Sequence, residues 1–192
     1  MNNPKIIKQS EKYMRQHIPK SRINKASYLR HILGARKYAI KLAKQKNADL
    51  FIIEIAALLH DIGADVGKDS KGRKLGHAKE SAKIAKEFLS KFEIDKKTHN
   101  EIIQGIARHS MGSKIDTIEQ QIIQDADGLI FLEDTYQYFF QNGKKRADSL
   151  DEAKKWSVDK VKGMLDKIKT KEGVRMAKKL LPRAIEWIEG KR

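Results

Sequence analysis

Apolar positions recur at helical spacing along almost the whole chain. Tyr28, Ile32, Ala35, Ala39 and Leu42 mark one face of a helix predicted from about 27 to 46. The next run, LFIIEIAALLH, is apolar nearly all round and predicts a buried central helix. Asn47 or Asp49 would cap it, and Gly63 would stop it. Residues 63–76 hold four Gly, four basic side chains and two Asp, which reads as a loop. Ala78, Ala82, Ala85 and Leu89 face inward on a helix from about 77 to 90. Asp95 or Thr98 opens another, carrying Ile102, Ile103 and Ile106 up to His109, before the turn SMGSKID. The segment from about 117 to 140 reads as one helix with Ile122, Ile123, Leu129 and Phe131, ended by Asn142-Gly143. Two amphipathic helices follow near 149–169 and 173–190, with a kink or break expected at Pro182. No convincing alternating strand, repeat or low-complexity tract interrupts this pattern. The predicted class is all-α, a bundle of about seven to eight helices.

At 192 residues, 40% apolar and 34% charged, the chain fits one globular domain that buries its own core. The absence of Cys excludes disulfide scaffolds, thiolate zinc sites and cysteine nucleophiles. Leu50 to Leu59 is the longest apolar stretch; Glu54 interrupts it, and it is far too short to span a bilayer. The N-terminus has no apolar signal core, so a cytoplasmic protein without membrane association is expected. The net charge of +16 is uneven. Residues 1–30 hold eight basic side chains against one acid, and residues 142–192 hold sixteen against eight. The stretch between them is nearly balanced and contains five of the six His. Such flanks attract polyanions, leaving nucleic acid open as a partner, although no aromatic platform or recognised motif accompanies them. Trp156, Trp187, Tyr136 and Phe139 read as core or lid packing, and His17 and His99 as surface residues.

Four polar residues stand where helix packing would prefer apolar ones. His31 lies on or beside the stripe of Tyr28, Ile32 and Ala35; His60 and Asp61 close the most apolar helix; Asp127 sits between Ile123 and Leu129. Burying such groups without compensation is costly, and a divalent cation held by imidazole nitrogen and carboxylate oxygen would compensate them. That donor set suits Mn, Fe, Co, Ni or Mg better than a structural zinc site. Adjacent helical residues diverge by about 100°, so His60 and Asp61 can serve one cation only where their helix ends.

The order His31 … His60-Asp61 … Asp127, in the strings YLRHILGARKYA, AALLHDIG and QDADGL, resembles the HD-domain superfamily of metal-dependent phosphohydrolases from about Tyr28 to Phe140. The resemblance implies an HD-like helical core over about 28–140. A basic N-terminal extension (1–27) and a C-terminal helical extension (142–192) would pack on it within one domain. It also implies that His31, His60, Asp61 and Asp127 ligate a divalent metal. Asp125 is the rival of Asp127 in the DAD string, and Asp127 matches the family's ADxL pattern. His77 and His109 fall where some members carry two further His, which would hold a second metal or touch substrate phosphate. Asp65, four residues after Asp61, would join Asp61 in catalysis by accepting a proton from the attacking water. Lys68 and Arg73, with Lys71 and Lys74 nearby, could reach substrate phosphates. The signalling branch with an HHE…GYP motif is not matched, because Ser110 and Met111 follow His109.

The implied function is hydrolysis of a phosphate ester or anhydride in a small phosphorylated substrate, most plausibly a nucleotide, by metal-activated water. One alternative is a phosphodiesterase acting on oligonucleotides or cyclic nucleotides, which the basic flanks favour. Another is a nucleic-acid or partner-binding module with a vestigial metal site. Neither the metal, the bond cleaved nor the oligomeric state is marked by any motif.

Overall fold

The computed structural model describes residues 3–18, 25–64 and 76–191. Nine α-helices and one π-helical turn occur among them, with no strand. In chain order these are α1 (Asn3–Gln16), α2 (Lys25–Lys46), α3 (Leu50–Leu59), α4 (His77–Leu89), α5 (Lys96–Ala107) and α6 (Ile118–Ile130). The π-helical turn (Phe131–Thr135), α7 (Tyr136–Lys144), α8 (Leu150–Lys167) and α9 (Lys171–Glu189) follow.

The most apolar helix sits at the centre. Ile53, Ile55, Ala56, Leu58 and Leu59 of α3 are fully buried, and α1, α2, α5 and α6 pack around it. Asp49, not Asn47, caps α3 and accepts from the N–H groups of Phe51 (2.8 Å) and Ile52 (3.2 Å). Asn47 instead closes α2 in the left-handed region, at φ 50°. Asp95 caps α5 through the Thr98 N–H, and Thr117 caps α6 through the Gln120 N–H. On the far side, α8 and α9 pack on each other and on α6.

The all-α class is as expected, and its details differ in four places. Residues 3–16, which are largely polar, fold as α1 because Ile6, Ser10 and Met14 fall every fourth residue and bury one stripe. Arg36 fastens this helix by reaching both Glu11 and Glu54, which explains an acid inside the α3 run. The helix expected over 117–140 is interrupted by the π-helical turn; the Thr135 hydroxyl donates to the Ile130 carbonyl five residues back, at 3.4 Å. α9 continues through Pro182 without a break. Pro182 and Lys178 are both exposed, so the carbonyl that loses its N–H partner faces water rather than the core. Trp187 does pack, edge-on to Tyr136 and Phe140, whereas Trp156 and Phe139 remain exposed because they fall off the buried stripes of α8 and α7. No helix among the described residues is long and apolar enough to cross a membrane.

Candidate metal centre

α3 ends at Leu59, and His60 and Asp61 lie in the turn that follows, both buried. Leaving the helical repeat at this point lets neighbouring side chains turn toward one space. The structure brings four helices and this turn together there. His31 comes from the middle of α2, His77 from the first residue of α4, His109 from just beyond α5, and Asp127 from the last turn of α6. His31 Nε2 lies 3.2 Å from His60 Nε2 and 3.2 Å from Asp127 Oδ1. His77 Nε2 lies 3.1 Å from His109 Nε2. Asp61 stands between the two imidazole pairs: Oδ1 is 3.5 Å from His77 and 3.6 Å from His109, and Oδ2 is 4.0 Å from His31. Three overlapping triads, His31–His60–Asp61, His60–His109–Asp127 and Asp61–His77–His109, each keep their donor atoms within 4.8 Å.

Hydrogen bonds outside the cluster decide which ring nitrogens carry hydrogen. His60 Nδ1 donates to the Ala57 carbonyl at 2.8 Å, and His109 Nδ1 to the Ile106 carbonyl at 2.8 Å. His31 Nδ1 donates to Thr135 Oγ1 at 2.9 Å, since that hydroxyl spends its own hydrogen on Ile130. The Nε2 atoms of all three therefore present lone pairs inward, the arrangement in which imidazole binds metal. His31 and His60 bring two such nitrogens within 3.2 Å of each other, a contact that a shared cation would satisfy. Burial pushes His60 down to about 3, against the opposing pull of Asp61, which keeps this imidazole neutral. Neutral imidazoles plus two carboxylates fit a divalent ion of the Mn, Fe, Co, Ni or Mg type.

The HD domain model matches residues 28–132, more than half of the chain, and contains all six of these side chains. The chain belongs to the HD domain family. Its fold is similar to that of Bacillus subtilis YpgQ, with a TM-score of 0.73 at 23% identity over 99% of this chain and 95% of that one. An HD-superfamily hydrolase from Bacillus thuringiensis superposes at 0.72 with 22% identity, covering 99% and 96%. YpgQ has also been solved in complex with ADP, and that structure matches at 0.72 with 24% identity over 99% and 95%. HD-family membership carries the expectation of a metal-dependent hydrolase, and the His31–His60–Asp61 cluster of this chain could hold the metal.

The two acids of the DAD string part company. Asp127 faces His31 and His60, and the buried ammonium of Lys167 contacts its other oxygen. Although burial opposes it, the Lys167 charge holds the Asp127 carboxyl well below the usual carboxylate range. Asp125 is fully buried and points away. It accepts from Gln121 Nε2 (2.6 Å), the Lys169 N–H (2.9 Å), the Thr170 N–H (2.8 Å) and the Thr170 hydroxyl (2.6 Å), binding the α8–α9 junction to α6. Asp65, Lys68, Lys71, Arg73 and Lys74 lie outside the described residues.

Several contributors went unread in the sequence because nothing in their spacing marks them. Thr135 orients His31 from 104 residues away. Gln124 donates to the Ser110 carbonyl at 2.9 Å and pins the segment that carries His109. Gly63 acts otherwise than as a helix stop: its φ is not positive, and α3 has already ended. A Cβ there would come within 2.6 Å of the Ser81 nitrogen and 2.8 Å of the Glu80 carbonyl carbon, so glycine lets α4 lie against the turn. The Gly63 N–H donates to Ser81 Oγ at 2.9 Å and locks that approach. Since backbone cannot step aside cheaply, Gly63→Ala should cost about 1–3 kcal/mol of stability. It should also shift α4 and its first residue, His77. Urea unfolding together with metal titration checks both; an unchanged midpoint would count against the close-approach role.

Proposed function

We propose that this chain is a metal-dependent phosphohydrolase acting on a nucleotide, cleaving a phosphate ester or anhydride. The observation that carries the reading is the convergence of three bare imidazole nitrogens, from His31, His60 and His109, with the carboxylates of Asp61 and Asp127. His31, His60, Asp61 and Asp127 would hold one divalent ion, with Asp61 turned equally toward His77 and His109 for a second ion or a substrate phosphate. A bound divalent ion polarises a phosphate oxygen and lowers the pKa of water, which is the chemistry that in-line hydrolysis needs.

The protein's own groups prepare that step. Backbone carbonyls of Ala57 and Ile106 keep His60 and His109 in the metal-binding tautomer. Burial of His60 to 1% exposure and His109 to 1% removes competing water and strengthens every charge interaction inside. We assign acceptance of a proton from the attacking water to Asp65, and contacts with outer phosphates to Lys68 and Arg73. The ADP complex of YpgQ, a protein of the same fold, supports a nucleotide as substrate.

The test is a panel of nucleoside mono-, di- and triphosphates, cyclic nucleotides and short oligonucleotides, incubated with protein loaded with Mn, Co, Ni or Mg. Expected is release of phosphate or pyrophosphate from at least one nucleotide, lost on chelation and restored by metal. Cleavage confined to internal phosphodiesters would replace the reading with a phosphodiesterase. Inertness of every compound with every metal would overturn it.

A further inference from the structure

The C-terminal helix α8 begins well beyond residues 28–132, yet it places the Lys167 ammonium on Asp127 of the metal centre, with Lys160 near enough to feel both charges. Lys167 is 5% exposed, and its Nζ contacts Asp127 Oδ2, the oxygen opposite the one facing His31. Its place is fixed by packing. Gly128, next to Asp127, lets Ile168 approach so closely that a Cβ on residue 128 would lie 2.9 Å from Ile168 Cγ1. Lys160 lies two turns earlier on the same helix, about 10 Å along its axis. Its Nζ sits 5.7 Å from the centre of the Phe131 ring, and among the described residues no carboxylate is within ion-pair distance. Burial and the neighbouring Lys167 charge both push Lys160 down, while Asp127 opposes them.

Lys167 thus pairs directly with Asp127, and Lys160 feels the same carboxylate from farther off. Once Asp61 and Asp127 are balanced by a divalent cation, both lysine charges are left over, and the centre carries a formal charge of +2. An anion entering the centre would offset it. Tetrahedral oxyanions suit this geometry, because a lysine ammonium is a mobile point charge with three donors.

We propose that Lys167 and Lys160 form a phosphate-binding pair, Lys167 contacting the phosphate held at the metal and Lys160 the phosphate attached to it. The inference rests on the metal-centre reading above and adds to it a contribution from α8. In this arrangement Lys167 releases Asp127 to the cation and donates to a substrate oxygen. The competing role is purely orienting: Lys167 would stay on Asp127 and only aim it.

The experiment is calorimetric titration of the full chain, first with Mn and then, Mn-loaded, with imidodiphosphate, a diphosphate that is not hydrolysed at its bridge. Lys167→Met should weaken imidodiphosphate binding about tenfold or more, since a charge-assisted hydrogen bond in a water-poor site is lost. Mn affinity should be unchanged or higher, because the competing ammonium is gone. Lys160→Met, at a half-exposed position that leaves the core intact, should weaken imidodiphosphate several-fold while orthophosphate binding barely changes. Affinity within twofold of wild type in Lys160→Met overturns the pair even if Lys167→Met fails to fold. Mn and imidodiphosphate affinities falling in parallel in Lys167→Met would assign Lys167 the orienting role and overturn its phosphate contact. A wild-type chain that binds no Mn would instead overturn the metal centre itself, and this inference with it.

Discussion

Asp61→Asn is expected to abolish phosphate-releasing activity, by about a thousandfold or more, while leaving the helical fold intact. The two side chains have the same shape, so packing around this buried position is preserved. What changes is the charge. Asp61 faces both imidazole pairs, with oxygens 3.5 and 3.6 Å from His77 and His109 and 4.0 Å from His31. An amide offers one neutral oxygen to a cation and turns an NH2 toward imidazole lone pairs. Divalent-ion affinity should therefore fall together with turnover. Circular dichroism, metal titration and product release measured on one preparation separate the outcomes. Activity retained above a tenth of wild type would remove Asp61 from the reaction.

The second large effect concerns a neighbouring acid with the opposite signature. Asp125→Ala should destabilise the protein by about 3–5 kcal/mol, because it strands four donors in a buried space. Those donors belong to Gln121, the backbone at Lys169 and Thr170, and the Thr170 hydroxyl, where α8 hands over to α9. For a chain of this size the loss corresponds to a melting shift of roughly 10 °C. Asp127→Asn, two residues on, should cost less in melting, because the amide oxygen can still accept from Lys167, and should remove metal binding, since its other partners are His31 and His60 at the centre. Comparing the two melting curves and the two metal titrations assigns each acid. If the pair behaved alike, the division between architectural and ligating carboxylate would fail.

That division was only half legible in the sequence. The 3.6-residue period separates positions 125 and 127 by about 200°, so one of them had to face away from any shared site. Which one does so depends on where α2 and the α8–α9 junction lie against α6, and periodicity carries no such information. The same limit explains Lys167: a lysine near the end of an amphipathic helix reads as solvated surface until Ile168 is seen packed over Gly128. It explains Thr135 as well, since the π-helical turn that presents it to His31 arises inside a segment whose pattern is simply helical. The opposite error occurred at Gly63, where a familiar helix-stop signal stood for an interhelical contact with Ser81.

By itself the sequence determined the class of fold and the kind of chemistry. Apolar spacing is a local property, and it specified helices because each must hide one stripe from water. His and Asp among those apolar positions announced buried charge in need of compensation, and their order along the chain matched one family. Tertiary structure alone decided the orientation of each donor. Tautomers were fixed by the carbonyls of Ala57 and Ile106, Asp61 was set between two imidazole pairs, and α8 was brought against Asp127 with its Lys167 ammonium. Those outcomes depend on distances between residues tens of positions apart, and such distances exist only once the helices have packed.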